Sequence, residues 1–133
     1  MRLLKFLFII LALNSCNFSE EKKENNNERS IERGELSLDS KIFLGNRLFS
    51  EKTCITCHSI DRKKIGPSVV NIMKIYAEKN GDVVSFLKGN AEPIVDTTPS
   101  KVAIMKANID GFLKDVTDEE LDAISTYMMH ITK

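Results

Sequence analysis

The chain has 133 residues, which suffice for one domain with some processing or tethering sequence but not for two full hydrophobic cores. Hydrophobic residues make up 42% of the chain, an ordinary share for a globular protein, so disorder throughout is not expected. Lys and Arg number 19, Asp and Glu also number 19, and no basic block occurs, so no nucleic-acid partner is predicted. The three cysteines cannot all pair within one chain.

The N-terminal segment has the features of an export signal. After a short basic start, residues 6–13 form an unbroken apolar run, too short to span a bilayer but suited to the core of a secretory signal. The following Leu13-Asn14-Ser15-Cys16 resembles the lipobox of bacterial lipoproteins. This resemblance implies a signal peptide over residues 1–15, lipidation of Cys16, and a lipid-anchored location on the periplasmic side of a bacterial membrane. A plain signal peptide with a free Cys16 is the alternative.

The next segment, residues 16–36, is predicted to be a tether. Beyond Cys16 it is polar and charged, contains an asparagine run, and has few apolar residues, so burial cannot offset the entropy cost of ordering it. We therefore expect a flexible tether between the lipidated cysteine and a domain over residues 37–133.

That domain is predicted to be all-α, because its apolar residues recur at helical spacing and no useful alternating strand pattern occurs. The predicted apolar face of the first helix is formed by Leu38, Ile42, Gly45 and Phe49. That of the second helix is formed by Val69, Ile72, Met73 and Tyr76, and that of the last helix by Leu121, Ile124, Met128 and Ile131. Asn80-Gly81 is expected to end the second helix, and a short helix over residues 83–88 is expected to follow. Thr98-Pro99 marks another helix start, and Thr117 with Glu120 predicts a capping box.

The most specific pattern in the chain is Cys54-Ile55-Thr56-Cys57-His58. Two thiols three positions apart lie about one helical turn from each other, close enough to bond both vinyl groups of one haem. The adjacent histidine can then coordinate the iron. The pattern therefore predicts one covalent haem c, with thioethers at Cys54 and Cys57 and a proximal axial ligand at His58.

Three other uses of the cysteine pair compete with haem attachment. A thioredoxin-like redox pair requires a βαβ setting, which the pattern lacks. A structural zinc site requires four ligands, and only His130 remains to complete the set. A plain disulfide leaves the neighbouring histidine unexplained, and the export signal independently favours haem.

With these residues in view, residues 37–133 resemble a class I cytochrome c. The resemblance rests on the first-helix segment from Gly45 to Phe49, the haem-attachment pattern, and the terminal-helix segment from Glu120 to Tyr127, in that order. It implies a small helical domain around the haem, in which the glycine lets the two helices approach. Ile65-Gly66-Pro67 is similar to a family segment whose proline carbonyl accepts a hydrogen bond from the proximal histidine, which implies that role for Pro67; a simple turn is the alternative.

The resemblance also implies a distal axial methionine ahead of the last helix. The candidates are Met73, Met105, Met128 and Met129. Met105 has the expected place, whereas the others lie on predicted helices and are better interpreted as core or flanking residues. Met105 departs from the family's usual proline-adjacent methionine, so core packing and an open sixth site stay as alternatives. His130 would give bis-histidine ligation, but as a helix-end residue it is expected to be exposed.

These predictions together indicate a single-electron carrier and no catalytic activity of its own. Its partners would be a redox protein donor and acceptor, with the membrane reached through the lipid anchor. The alternatives are a haem-based sensor of a gas or small ligand with an open or labile sixth site, and the electron-transfer subunit of a larger oxidoreductase. The basic residues Arg62, Lys63 and Lys64 suggest an acidic partner, although a charged surface turn explains them equally well.

Overall fold

The computed structural model describes residues 34–133. The predicted signal peptide, Cys16 and nearly all of the predicted tether lie outside the described residues. Residues 34–133 contain six helices. In chain order they are α1 (Leu38–Glu51), α2 (Cys54–Cys57), α3 (Val69–Glu78), α4 (Val83–Leu87), α5 (Pro99–Gly111) and α6 (Asp118–His130). This part of the chain contains no strand, only an isolated bridge between His58 and Lys63. The all-α prediction is confirmed.

The helix starts follow the polar residues that precede them. The side chains of Ser37, Ser68 and Asp82 each accept a hydrogen bond from a backbone amide in the first turn of α1, α3 and α4, respectively. At α6, Thr117 Oγ1 accepts from the Glu120 amide at 3.3 Å, and the Glu120 carboxylate accepts from the Thr117 amide at 2.9 Å. The predicted capping box is therefore present, and it defines where the last helix begins.

Helices α1 and α6 cross at a glycine. A Cβ atom on Gly45 would collide with the backbone carbonyl of Ala123 and would lie 2.7 Å from the Cβ atom of Tyr127. Beside the crossing, the rings of Phe49 and Tyr127 are 5.7 Å apart and tilted by 57°. Such a tilted pair is a favourable aromatic arrangement. The approach of the two helices thus depends on the missing side chain at position 45.

Most of the buried apolar residues form one cluster beside this crossing. Its members are Leu48, Phe49, Val69, Tyr76, Val83, Leu121, Ile124 and Met128. Val69 and Ile124 are 0% and 2% exposed, and full burial of such side chains stabilises the fold by roughly 1.5–3 kcal/mol each. The cluster ties α1, α3, α4 and α6 together, whereas α5 contributes no fully buried residue.

The predicted apolar face of α1 is wrong at its N-terminal end. Leu38 is 65% exposed, although its spacing from Ile42 and Gly45 placed it on that face. Leu38 is the first residue of α1, and the buried residues of the helix, Gly45, Leu48 and Phe49, lie in its second half. Helix α6 crosses α1 at Gly45, farther along the helix, and leaves the side chain of Leu38 uncovered.

Candidate functional site

The two cysteines of the haem-attachment pattern lie at the two ends of a single helical turn, α2. Helix α1 stops at Glu51, and Thr53 then takes a left-handed conformation with a φ of 62°, which turns the chain into α2. The His58 amide donates to the Cys54 carbonyl at 2.9 Å, after which the chain becomes extended. Both thiols are half-buried and unbonded to each other. Burial raises the pKa of the Cys54 thiol above its ordinary value.

The imidazole of His58 contacts the segment Ile65-Gly66-Pro67, whose proline carbonyl is predicted from the sequence to accept a hydrogen bond from it. Its Nδ1 atom lies 2.7 Å from the carbonyl oxygen of Pro67, a hydrogen bond in which the protonated ring nitrogen donates. A Cβ atom on Gly66 would lie 2.6 Å from Cε1 of the same ring, so the ring rests directly on the glycine backbone. The Gly66 amide also donates to the Cys57 carbonyl at 3.0 Å. These contacts orient the ring and leave Nε2 as the nitrogen with no hydrogen-bond partner among residues 34–133.

Cys54, Cys57 and His58 line one cavity of about 360 Å³. Side chains from every helix of the described domain contribute to its wall, and most of that wall is apolar. Met105, on α5, lines the same cavity although it is far from His58 in the chain. The structure therefore brings Met105 together with the three residues of the attachment pattern.

Helix α5 faces this cavity rather than another helix. Its residues Val102, Met105 and Ile109 recur at helical spacing, are only half-buried, and line the cavity wall. Among the described helices, α5 makes no extensive contact with any other. Apolar side chains on a helix surface that no other helix covers need a different apolar surface to pack against. A flat porphyrin held at Cys54 and Cys57 meets that need, so the residues present fit a covalently attached haem.

The other ligand candidates occupy different places. Met128 also lines the cavity, but it is 6% exposed and belongs to the buried cluster. Met73 is half-buried and does not line this cavity, and Met129 is 45% exposed. His130 is the last residue of α6, exposed, and outside the cavity wall. Of these, only Met105 combines a place on the cavity wall with a place outside the buried cluster.

The described domain offers little for the alternative uses of the cysteine pair. No βαβ unit occurs in residues 34–133, because that part of the chain has no strand. Within the same residues, no three or more His, Cys, Asp or Glu side chains converge as metal ligands, so a four-ligand zinc site does not form there.

Comparison with known proteins settles the family. A family model described as cytochrome c matches residues 43–132, about two thirds of the chain. This chain belongs to the cytochrome c family. The matched region spans the α1–α6 crossing, the attachment pattern and Met105, so the class I resemblance and the cytochrome c-like helical fold are both confirmed.

Two curated cytochromes are similar to this one. The chain is 36% identical over 58 residues to cytochrome c-551 of Pseudomonas denitrificans, an alignment covering 38% of this chain and 70% of that protein. It is also 36% identical over 47 residues to cytochrome c-552 of Hydrogenobacter thermophilus, covering 35% of this chain and 47% of that protein. The alignment with the second relative thus spans about half of its length.

Family membership confirms the cofactor prediction, one covalently bound haem c, and supports electron transfer by a c-type cytochrome.

The sequence did not predict which residues form the far wall of the haem cavity. Gly89, residues 91–96 and the charged side chains of α5 line the cavity, although they carry no recognisable pattern. In residues 34–133, no helix is both long enough and apolar enough to cross a bilayer.

Proposed function

We propose that this cytochrome transfers single electrons with its haem iron ligated by His58 and Met105. The proposal is carried by one observation: Met105 lines the same cavity as Cys54, Cys57 and His58. When bound, haem c supplies an iron that alternates between the ferric and ferrous states and so takes up and releases one electron at a time.

In this proposal each side chain has a distinct task. Cys54 and Cys57 form the two thioether bonds that hold the cofactor permanently in the domain. His58 binds the iron through Nε2, and the Pro67 carbonyl fixes the tautomer and ring orientation by accepting from Nδ1. Met105 supplies a thioether sulfur as the distal ligand, which favours the ferrous state relative to imidazole.

Two filled axial positions would leave no place for a substrate or a gas. For this reason we favour an electron carrier over a sensor with an open or labile sixth site. The decisive test is the absorption spectrum of the full-length protein, matured with the haem-attachment machinery, with and without carbon monoxide. We expect the reduced spectrum to stay unchanged by carbon monoxide and the pigment to stay with the protein in acidified organic solvent. A ready response to carbon monoxide would favour the sensor, and release of the pigment would contradict thioether attachment.

We propose that the redox partner docks on the surface next to α2. Ile55 and Ile60 are 51% and 48% exposed there. Lys63 and Lys64 follow Ile60 in the chain, and the Lys64 ammonium donates to the Ile55 carbonyl at 3.2 Å. An apolar patch with cationic neighbours suits a donor or acceptor with an acidic rim.

We also propose that the cytochrome is exported and held at the periplasmic face of a bacterial membrane by lipid on Cys16. The apolar run and lipobox-like residues ahead of Cys16 support this, and residues 17–36 would then link the anchor to the domain. Replacement of Cys16 by Ser tests the anchor: we expect the variant to keep its haem and to leave the membrane fraction. Unchanged membrane association would contradict lipid anchoring without affecting the electron-transfer proposal.

A further inference from the structure

Ser68 is a polar residue buried at the start of helix α3. It is 8% exposed and does not line the haem cavity. A buried hydroxyl group is unfavourable unless it is hydrogen-bonded. Its Oγ atom accepts from the Asn71 amide at 3.2 Å, so the hydroxyl is satisfied within the first turn of α3. Ser68 therefore fixes the start of a helix and does not contact the cofactor seat itself.

The first amides of α3 also bind the residues that directly follow His58. The Val69 amide donates to the Ser59 carbonyl at 2.9 Å, and the Val70 amide donates to the Ile60 carbonyl at 3.0 Å. A helix leaves its first amides without partners inside the helix, and here the chain after the proposed iron ligand supplies them. Val69 is 0% exposed, so this helix start is packed into the core. The start of α3 is thus the support on which the chain around His58 rests.

The hydrogen-bond acceptor for the His58 ring belongs to the same helix start. The Pro67 carbonyl is part of the peptide unit that joins Pro67 to Ser68, and a peptide unit is planar. Its direction therefore changes whenever the Ser68 backbone moves. The Nδ1 atom of His58 donates to this carbonyl at 2.7 Å. A movement of Ser68 that breaks the cap of α3 would also disturb the hydrogen bond of the ring.

We propose that Ser68 is a positioning residue for His58. By capping α3 it holds the Pro67 carbonyl against Nδ1 and thereby lowers the potential of the iron. The inference deepens the proposed function and rests on His58 as an iron ligand. A hydrogen bond accepted from Nδ1 makes the imidazole a stronger donor to the metal, and a stronger donor favours the ferric state. Loss of the Ser68 hydroxyl should therefore shift the iron toward the ferrous state.

The test measures the midpoint potential of the full-length haem protein, and by NMR the exchange of the His58 Nδ1 proton with water, in the parent, Ser68→Ala and Ser37→Ala. Ser37 is the matched control, because it caps α1 by accepting from the Ser40 amide at 3.3 Å and does not line the cavity. Loss of either cap should lower stability.

Only Ser68→Ala should raise the potential and speed the exchange of the ring proton. We expect a several-fold shift of the ferric–ferrous equilibrium, where a tenfold shift corresponds to about 59 mV for one electron. Ser68→Thr keeps a hydroxyl acceptor and should retain the potential of the parent.

An unchanged potential in Ser68→Ala would overturn the proposal and leave Ser68 as a helix cap alone. An equal rise in Ser37→Ala would also overturn it, because the effect would then follow from destabilisation in general. Should Ser68→Ala fail to mature, the parent still decides: the His58 Nδ1 proton and the Asn71 amide must exchange through one common opening, with equal dependence on denaturant. Independent exchange contradicts the coupling. Absence of histidine ligation in the parent would instead overturn the proposed function, and this inference with it.

Discussion

The imidazole of His58 lies against the backbone of Gly66 while its Nδ1 atom donates to the carbonyl of the next residue, Pro67. The segment that follows the attachment pattern therefore does two things at once. The glycine leaves the space that the ring occupies, and the proline carbonyl fixes the ring's rotation. Because the two residues are consecutive, a change at either one alters the orientation of the ring.

Replacement of Gly66 by Ala should disturb this arrangement. The new methyl group would lie 2.6 Å from Cε1 and 3.0 Å from Nδ1 of His58, so the ring must move and its hydrogen bond to Pro67 must lengthen. We expect a loss of about 1–3 kcal/mol in the free energy of unfolding, measured by thermal denaturation, and an altered potential. Gly111→Ala is the matched control, because nothing lies within 4 Å of a Cβ atom there. Equal stability of the two variants would contradict the close contact.

Replacement of Gly45 by Ala should weaken the α1–α6 crossing. The added methyl group meets the Ala123 carbonyl, which is backbone and cannot rotate away as a flexible side chain would. We expect a loss of roughly 1–3 kcal/mol in unfolding free energy with the haem spectrum of the surviving folded protein unchanged. The readout is thermal unfolding against the same Gly111→Ala control. A parent-like melting temperature would show that the helices do not approach as closely as described.

Replacement of Met105 by Ala tests the distal ligand. If the sulfur binds the iron, the variant should lose the far-red sulfur-to-iron absorption band, lower its potential and bind carbon monoxide when reduced. Met128→Ala is the informative control, since Met128 lines the same cavity but belongs to the buried cluster. That variant should lose about 2–5 kcal/mol of stability and keep the band. An unchanged spectrum in Met105→Ala would refute the assignment.

Charge reversal at Lys63 should slow electron exchange with the native partner. Lys63 is exposed and has no ion pair in the described domain, so Lys63→Glu changes the surface charge without removing a pair. We expect a several-fold decrease in the second-order rate at low salt that disappears as salt is added, because exposed charges are screened. Lys114→Glu, outside the proposed docking surface, should have little effect. A salt-independent rate in both variants would argue against the docking surface.

We expect Tyr76 to lower the stability of the domain under alkaline conditions. Burial, and to a smaller extent the charge of Asp82, raise its pKa to about 12 from an ordinary value of 10. Between these values the unfolded state loses the phenolic proton while the folded state keeps it, so stability should fall as the pH rises from about 10 to 12. Tyr76→Phe removes the titrating group, and denaturant unfolding at pH 9 and pH 11 should show a smaller loss in the variant. An identical loss in both proteins would assign the sensitivity to other groups.

The helices and the attachment pattern were predictable from the sequence because their determinants are local. Thr117 and Glu120 cap α6 within one turn, and Cys54 and Cys57, which are three positions apart, need only one turn of helix. The exposure of Leu38 was not predictable from periodicity, because spacing gives the face of a helix but not how far along it a neighbouring helix crosses.

By itself the sequence determined the all-α class, the covalent haem and the residues that can attach it, since thiol spacing and an adjacent imidazole are properties of a short stretch of chain. Only the tertiary structure decided which distant residues share the cavity. It brought Met105 to the same cavity as His58 and left His130 outside. These relationships depend on how α5 packs relative to the crossing of α1 and α6, and that packing arises from contacts between residues far apart in the chain.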